Sequence, residues 1–254
     1  MNSERKAHLL RLLKSDGRIE AKEVAVELGL SDDTIRRDLR ELAAAGKLQR
    51  VHGGALPKSP AEADLNTRQD IASQSKREIG KTAASLVKPD QVIIIDGGTT
   101  ALQLVKNLPV DQHNTVITHS PTIAVALAPF TSIKVIMIGG ILFRHSMVNV
   151  GAAAVEAMSH IQADTYFMGV TGVDVNAGLS TGDLEEAHIK KALSKRAADT
   201  VVLASSEKHE VASSYVIMPV NNASGIVLER RTPAAFKKQM KQSGLEVFVA
   251  SKQN

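Results

Sequence analysis

The sequence predicts an α/β protein with a small N-terminal winged helix-turn-helix domain followed by a larger α/β domain. The chain has 254 residues, more than one compact domain usually contains, so two domains of unequal size are expected. Short helical patterns and one short strand fill residues 1–57, whereas strand and helix patterns alternate after Gln91. We therefore expect domains at residues 1–57 and 76–254, joined by a linker at residues 58–75 that starts with a polar, proline-containing stretch.

The composition is that of an ordinary globular protein. Hydrophobic residues make up 43% of the chain, charged residues 23%, and there is no cysteine, which argues against disulfides, thiolate metal sites and a cysteine nucleophile. The charged N-terminus and the lack of a run of about eighteen apolar residues predict a cytoplasmic protein without a membrane partner. The net charge is +4, and 11 Lys/Arg against 9 Asp/Glu leave residues 1–57 at +2. A nucleic-acid footprint must therefore come from local arrangement.

Three helical patterns open the chain. Glu4–Lys14 has leucines at helical spacing, and Ala21–Leu28 is a second short helix that a glycine closes. Ser31 is the expected N-cap of a third helix. At 100° per residue this third helix carries an apolar stripe and an arginine row on opposite sides, formed by Ile35, Leu39 and Leu42 and by Arg36, Arg37 and Arg40.

This order of elements indicates a helix-turn-helix, whose last helix enters the major groove of DNA. The following stretch, K-L-Q-R-V-H-G-G-A-L-P, predicts a hairpin wing whose Arg50 and His52 reach the DNA backbone. The alternative is that the arginine row is only a solvated face. Asp38 lies beside the apolar stripe and is expected to pair with a neighbouring Arg or Lys, because phosphate repels a carboxylate.

In the larger domain, alternating patterns predict a mostly parallel sheet with helices in most gaps. The predicted helices are 70–87, Thr99–Lys106, Pro121–Leu127, Ala152–Ile161, Leu184–Ala197 and Pro233–Gln242. The predicted strands are Val92–Asp96, Thr115–Thr118, Lys134–Ile138, Thr165–Val170, Thr200–Ala204, Tyr215–Met218, Gly225–Leu228 and Glu246–Val249.

The turn D-G-G-T-T after the first of these strands is the main candidate for ligand binding. Its glycines let backbone N–H groups approach an anion, its threonines donate hydroxyls, and the next helix directs its positive end there. The alternative is an ordinary strand-to-helix turn capped by Thr99. The turn matches neither a dinucleotide fingerprint nor a Walker loop, so no nucleotide cofactor is expected.

Other motifs argue against catalysis and metal binding. The G-K-T at Gly80–Thr82 lies inside a helical pattern, not after a strand. G-L-S-T-G at Gly178–Gly182 matches a nucleophile elbow only formally, since Asp183 and Glu186 read as a capping box that opens the next helix. The histidines show no metal-ligand spacing. No catalytic residue and no metal are therefore predicted.

The chain resembles the DeoR family of bacterial transcriptional regulators over almost its whole length. In the first domain the likeness lies in T-I-R-R-D-L and H-G-G-A. In the second it lies in I-D-G-G-T-T, T-H-S, a Gly139-Gly140 pair, F-M-G-V-T-G-V-D, G-L-S-T-G-D-L-E-E-A and a late lysine. Residues so marked as DNA contacts are Ser31, Thr34, Arg36, Arg37, Arg40, Arg50, His52, Gly53 and Gly54.

The resemblance implies a sensor domain, related in fold to ribose-5-phosphate isomerase and coenzyme A transferases, that binds a phosphorylated sugar effector. It also implies double-stranded operator DNA as partner, a homo-oligomer (dimer or tetramer) and a repressor of a carbohydrate-metabolism operon. The glycines and threonines of the turn would hold the effector's phosphate, with Asp96 near its hydroxyls. The effector-binding residues it implies are Asp96, Gly97, Gly98, Thr99, Thr100, Ser120, Gly140, Asp174, Glu186 and Lys208.

Departures from the family pattern leave alternatives open. Ser205 stands where Asp is usual, His119 where Asn is common, and Glu229 where Asp is expected, which bears on the effector's identity. One alternative is a sugar-phosphate isomerase-like enzyme with an accessory DNA-binding head, using Asp174, Glu186 and Lys208. Another is that the glycine-threonine turn is structural and the larger domain only oligomerises.

Overall fold

The computed structural model describes residues 2–251. Its N-terminal part, here called the head, has three helices and a small antiparallel sheet in the strand order β1-β3-β2. The elements are α1 (Asn2–Asp16), β1 (Ile19–Glu20), α2 (Ala21–Glu27), α3 (Asp32–Ala44), β2 (Gln49–Val51) and β3 (Gly54–Leu56).

The head confirms the predicted winged helix-turn-helix. Ser31 caps α3, and its Oγ accepts a hydrogen bond from Thr34 N at 3.3 Å. The predicted stripe of Ile35, Leu39 and Leu42 is buried in a core with leucines of α1. The amphipathic pattern therefore fixes which side of α3 faces solvent.

Residues 58–91 pass from the head to the larger domain. They contain a 3₁₀ turn (Pro60–Glu62), α4 (Leu65–Asp70) and α5 (Ser73–Leu86). The helical pattern predicted from residue 70 is thus divided into two helices, which Ala72 separates by adopting a left-handed backbone (φ 49°).

The larger domain is built on a seven-stranded parallel sheet in the order β15-β14-β12-β9-β4-β5-β6. Its helices are α6 (Thr99–Lys106), α7 (Pro121–Leu127), α8 (Ala152–Ala157), α9 (Leu184–Ser194) and α10 (Ala234–Gln242). The strands are β4 (Val92–Ile95), β5 (Asn114–Thr118), β6 (Ile133–Met137), β7 (Ile141–Phe143), β8 (Val148–Val150), β9 (Ala163–Gly169), β10 (Gly172–Asp174), β11 (Gly178–Thr181), β12 (Ala197–Ala204), β13 (Tyr215–Met218), β14 (Gly225–Leu228) and β15 (Glu246–Val249).

A hydrophobic core lies on each face of this sheet. Ile94 belongs to one core, whereas its neighbours Ile93 and Ile95 belong to the other, as the alternation of side chains along a strand requires. Ile79 of α5 packs in the second core and Ile189 of α9 in the first. The result is the three-layer α/β arrangement that the alternating pattern predicts.

Some element predictions differ from the structure. Tyr215–Met218 is a strand, but it pairs with β11 in a separate sheet of order β10-β11-β13. The helices that start at Ala152 and Leu184 end earlier than predicted, at Ala157 and Ser194. In the second case β12 begins at Ala197, so backbone pairing overrides the helical pattern at this end.

Candidate functional site

The exposed side of α3 presents two arginines to solvent. Arg36 Nε donates to Asp32 Oδ2 one turn earlier, at 2.6 Å. Arg37 and Arg40 are exposed, and neither forms an ion pair with any of residues 2–251. These two side chains are therefore available for a polyanion, whereas Arg36 has an internal partner.

Asp38 has a structural role within the head. Its side chain is fully buried and forms an ion pair with Arg5 of α1, with Arg5 Nη2 at 3.1 Å from Asp38 Oδ1. The expectation that Asp38 pairs with a cation is confirmed. The pair joins α1 to α3 and leaves this carboxylate off the exposed face.

The wing is the hairpin of β2 and β3. Arg50 and His52 are exposed, and Gly53 turns the chain with a φ of 84°. A Cβ on Gly54 would lie 1.7 Å from the carbonyl oxygen of Ile19, so only glycine allows β1 to pair so closely with β3. Both glycines therefore shape the wing through the backbone.

A cleft lies at the carboxyl ends of β4 and β9, where ligands bind in open α/β sheets. Its free volume is about 30 Å³, room for one or a few waters. It brings together six of the predicted effector residues: Gly97, Gly98, Thr99, Thr100, Glu186 and Lys208. Its other lining residues are Ala61, Arg68, Lys76, Ala101, Ser146, Gly169, Val170, Thr171, Thr181, Lys190 and Glu207.

Asp96 lies fully buried at the base of this cleft and is not among its lining residues. Burial raises its pKa, but Lys190 and His119 outweigh that effect and hold the pKa of Asp96 well below its usual range. The carboxylate is thus ionised. It accepts hydrogen bonds from Gly97 N (2.8 Å), His119 Nε2 (2.7 Å), Tyr166 Oη (2.9 Å), Gly169 N (2.8 Å) and Lys190 Nζ (2.6 Å).

His119 bridges two acceptors. Its Nδ1 lies 2.9 Å from the carbonyl oxygen of Asn149, and its Nε2 faces the Asp96 carboxylate. The ring is thus held between a backbone carbonyl and the carboxylate. This departure from the family pattern therefore places a histidine ring beside Lys190 on the buried carboxylate.

The glycine-threonine turn forms the inner end of the cleft. Gly98 is the N-cap of α6 with a φ of 114°, and no side chain caps this helix. A Cβ on Gly97 would lie 2.3 Å from Val148 Cγ1, so the close packing here requires glycine. The first N–H groups of α6 have no partner within the helix, and Thr99 and Thr100 line the cleft beside them.

Two cations in the cleft, the buried Lys208 and the half-buried Arg68, have no carboxylate partner. Lys208 Nζ contacts Thr100 Oγ1 at 3.4 Å and the Leu203 carbonyl at 3.3 Å, and Arg68 Nη2 donates to Ser146 Oγ at 3.4 Å. Within residues 2–251 neither has an ion pair under 4.0 Å. Burial, opposed by Glu207 and reinforced by the neighbouring cations, lowers the pKa of Lys208 to about 8.

Glu186 supplies the main acceptor of the cleft. The expected capping box forms only in part, because Asp183 Oδ1 accepts from Glu186 N at 3.0 Å while the Glu186 side chain turns into the cleft. There its Oε2 accepts hydrogen bonds from Ser146 and Thr181, at 3.1 and 3.3 Å. Glu186 is thus a candidate acceptor for ligand hydroxyls.

Besides Asp96, three predicted effector residues lie outside the lining of the cleft. Ser120 donates to the Met147 carbonyl at 2.9 Å, and Gly140 packs against Val150. Asp174 accepts from Arg18 of the head at 3.5 Å and from two backbone N–H groups of its own turn. The set that the isomerase-like alternative requires is therefore not assembled, since only Glu186 and Lys208 of that set meet in the cleft.

The two motifs set aside in the sequence have structural positions. Ser180 lies inside β11 with its hydroxyl buried, donating to the Gly172 carbonyl at 3.5 Å and accepting from Ser213 N at 2.9 Å. Gly80 lies where α5 touches α6, and a Cβ there would meet the Gln103 backbone at 2.5 Å. Within residues 2–251 no three acidic or histidine side chains cluster to hold a metal, and no helix there is long and apolar enough to cross a membrane.

Comparison with known families decides the affiliation of this chain. Residues 5–60 match the DeoR-like helix-turn-helix domain, and residues 71–230 match the DeoR C terminal sensor domain. The chain belongs to the DeoR family. Like the relatives below, this DeoR-family chain is a helix-turn-helix transcriptional regulator.

Similar proteins carry matching names. The HTH-type transcriptional regulator GolR of Listeria innocua is 32% identical over 249 residues, covering 97% of this chain and 98% of GolR. The HTH-type transcriptional regulator GlpR of Haloferax volcanii is 34% identical over 209 residues, 81% of each chain. The HTH-type transcriptional repressor GlcR of Bacillus subtilis is 28% identical over 249 residues, covering 97% of this DeoR-family chain and 95% of GlcR.

Solved structures show weaker likenesses. Ribose 5-phosphate isomerase A of Methanocaldococcus jannaschii aligns over 54% of each chain with 19% identity and a TM-score of 0.41. The full-length sorbitol operon regulator SorC of Klebsiella pneumoniae aligns over 80% of this chain and 90% of its own, with 14% identity and a TM-score of 0.39. At such scores neither likeness carries an argument about the ligand.

Proposed function

We propose that this DeoR-family regulator represses a carbohydrate-metabolism operon and that a phosphorylated sugar controls it from the cleft. In this proposal residues 1–57 bind operator DNA, residues 58–75 connect, and residues 76–254 sense the effector. The observation that carries the proposal is a pair of cations, the buried Lys208 and the half-buried Arg68, that have no carboxylate partner and lie beside the open N-terminus of α6.

The arrangement suits a phosphate group. A buried charge without a partner is costly, and an anion bound here would satisfy both cations together with the N–H groups and hydroxyls at the start of α6. The lowered pKa of Lys208 has the same origin, since burial and its cationic neighbours disfavour its charge. A bound phosphate would reverse that effect.

The acceptor side of the cleft suits sugar hydroxyls. Beside the first cleft lies a second cavity of about 300 Å³, and both are lined by Arg68, Ser146 and Glu186. Glu62 and Asp183 add carboxylates and Phe143 an aromatic ring to its wall. Carboxylates accept hydrogen bonds from hydroxyls, so a ligand with its phosphate at α6 would extend its polyol part past Glu186 into this cavity.

The head suits double-stranded DNA. Arg37 and Arg40 are the exposed cations of the recognition helix that have no ion-pair partner among residues 2–251, and Arg50 and His52 stand on the wing. We assign base or phosphate contacts to these four side chains and a supporting position to Arg36. Paired operator half-sites require a symmetric assembly, so we propose a dimer or tetramer.

Fluorescence anisotropy of labelled upstream DNA from the protein's own gene tests this function. At fixed physiological salt, we expect tight DNA binding that one member of a panel of phosphorylated sugars shifts and its unphosphorylated counterpart does not. The effector must bind the DNA-competent and DNA-incompetent states with different affinities, with a typical coupling of about 1–3 kcal/mol. Tight binding that is indifferent to the whole panel would leave a DNA-binding protein without this sensor.

A further inference from the structure

The segment between head and sensor domain, here called the strap (residues 58–72), forms part of the wall of the cleft. Ala61 and Arg68 of the strap line both cavities. Its Ser59 hydroxyl donates to the Thr171 carbonyl, and Leu65 N donates to the His145 carbonyl at 3.0 Å. The connection between the two parts is thus held on the sensor domain along its length and faces the ligand space.

Arg68 is the strap's charged contribution to that space. Its Nε is buried without a hydrogen-bond partner among residues 2–251, and its one side-chain hydrogen bond is the 3.4 Å contact to Ser146. Burial lowers its pKa, against the opposing effect of Glu186 and more distant acids. A guanidinium so placed has donors left for an anion in the cleft.

The end of α4 is also tied to the cleft through its backbone. Lys76 of α5 donates to the Arg68 carbonyl at 2.5 Å, and its ammonium lines the same cleft, 3.8 Å from Glu207. Between these two residues Ala72 holds a left-handed backbone, which L-residues rarely adopt. The strap therefore enters the site at Arg68 and is fixed there by a second cation of the site.

We propose that Arg68 binds the anionic group of the effector from the side of the strap, together with Lys208 and the start of α6, so that ligand binding strengthens the hold of the sensor domain on the strap. The proposal rests on the proposed function, and the ligand group it requires is a phosphate. An anion between Arg68 and Lys208 would be held by both parts of the cleft wall, whereas within residues 2–251 Arg68 has one long side-chain hydrogen bond.

This contact has a direct route to the DNA-binding wing. Only Pro57 separates the last residue of β3, Leu56, from Lys58, which pairs with Ala212 of the sensor domain. Fixing the strap therefore also fixes the end of the wing, because Leu56 lies only two residues before Lys58. Ordering of a connecting segment by a ligand's phosphate is an established type of switch.

Hydrogen exchange of the full-length protein, followed by mass spectrometry, tests the proposal with inorganic phosphate as probe and chloride at equal ionic strength as reference. At ten times the half-saturating phosphate concentration we expect about tenfold slower exchange in peptides covering residues 62–72 and residues 96–103. In Arg68→Gln we expect half-saturation at residues 96–103 to need about tenfold more phosphate and the slowing at residues 62–72 to vanish. Arg77→Gln, an exposed arginine of α5, is the matched control and should behave as the unmodified protein.

The outcomes separate this proposal from the function on which it rests. Slowing at residues 96–103 without slowing at residues 62–72, or an unchanged response in Arg68→Gln, would overturn the role of Arg68 and leave the phosphate site intact. No slowing in either region would overturn the phosphate site and this proposal together. If Arg68→Gln does not fold, Arg68→Lys takes its place, because lysine keeps the charge and lacks the planar donor fork of arginine. We then expect the same weakening of phosphate binding. An unchanged response of Arg68→Lys would refute the role of Arg68.

Discussion

Asp96 lies at the centre of a buried polar cluster, where its carboxylate meets Lys190 and His119. The sequence places it near the effector's hydroxyls, but its carboxylate already accepts bonds from Lys190, His119, Tyr166 and two backbone N–H groups. A carboxylate offers about four lone-pair sites, so no acceptor remains for a ligand in this arrangement. We infer that Asp96 holds the turn and the Lys190 ammonium in place.

Replacement of Asp96 tests this structural role. Asp96→Asn keeps the shape but leaves the buried Lys190 ammonium without its carboxylate, so we expect a loss of about 3–5 kcal/mol in the free energy of unfolding. Urea denaturation followed by circular dichroism measures it. Asp111→Asn, at an exposed position, is the control and should change stability little; an equally small effect of Asp96→Asn would contradict the charge assignment.

Lys208 predicts a pH dependence of phosphate binding. Its pKa is lowered to about 8, and a bound anion would raise it, so the complex would keep a proton that the free protein begins to lose above this pH. Affinity should therefore be greatest below pH 8 and fall, by up to about tenfold per pH unit, as pH rises through 8 toward the pKa of the complex.

Calorimetric titrations with inorganic phosphate between about pH 7.5 and 10 measure this dependence, because that range spans the lowered pKa of Lys208. Lys208→Met should bind phosphate more weakly and with a flatter pH profile, whereas exposed Lys195→Met should follow the unmodified protein. A pH profile that stays as steep in Lys208→Met would assign the proton to another group. Lys76, which lines the same cleft and whose pKa burial also lowers, would then be the first candidate.

Residue patterns alone find only part of the cleft. The glycine-threonine turn is local in sequence and was predicted, whereas Arg68, Lys76 and Lys190 reach the cleft from three different helices. A signal exists for two of them: Lys76 shares a helix face with Ile79 and Ala83, and Lys190 lies one turn after Glu186 on the buried face of α9. A charged residue on an apolar stripe requires a buried partner or ligand. The sequence gives no such signal for Arg68, because α4 has no buried face.

At the scale of elements, the contact of α5 with α6 positions the turn. Gly80 allows it, since a Cβ there would lie 2.5 Å from the Gln103 backbone. Gly80→Ala should therefore destabilise the protein by about 1–3 kcal/mol through overpacking, although alanine is the better helix former. Thermal denaturation measures the loss, and Gln74→Ala on the exposed side of α5 is the control. Stabilisation by Gly80→Ala would show that the two helices can separate without cost.

The recognition helix makes a separate prediction for DNA. Arg37→Gln should weaken operator binding and reduce the slope of log affinity against log salt by about one, because one fewer counterion is released. Anisotropy titrations at several salt concentrations measure both quantities. Exposed Arg77→Gln changes the same charge on the sensor domain and should leave the slope unchanged. If Arg37→Gln behaves like this control, Arg37 does not contact DNA.

Strong periodicity made most elements predictable. The run Val92–Ile95 and its parallel neighbours follow from apolar stretches between helical patterns. The short strands Ile141–Phe143, Val148–Val150 and Gly172–Asp174 were missed, since three residues carry too little alternation to be distinguished from a loop. The sheet to which Tyr215–Met218 belongs was not predictable either, because its pairing with β11 is long-range.

At the scale of the whole molecule, the strap and the ion pair between Arg18 and Asp174 both link the head to the sensor domain. Arg18 of the head reaches Asp174 at 3.5 Å and Glu20 at 3.0 Å. Asp174 thus joins the two parts of the chain, a role its position in the family motif did not indicate. Because the Asp174 carboxylate is buried and Arg18 is only partly exposed, this pair and the strap together bear on the orientation of the head.

For the proposed oligomer we predict a contact at the β6 edge of the large sheet, where β6 pairs on one side only. Met137 on this strand and Ile141 just beyond it are 51% and 73% exposed, and an apolar sheet edge of this kind favours association. Ile141→Lys should therefore shift the protein toward monomer in light scattering and weaken binding to a paired operator, while phosphate binding persists. Val110→Lys, at a loop position that is 75% exposed, is the matched control. An unchanged mass for Ile141→Lys would place the contact elsewhere, and a monomer that still binds paired half-sites tightly would remove the need for an oligomer.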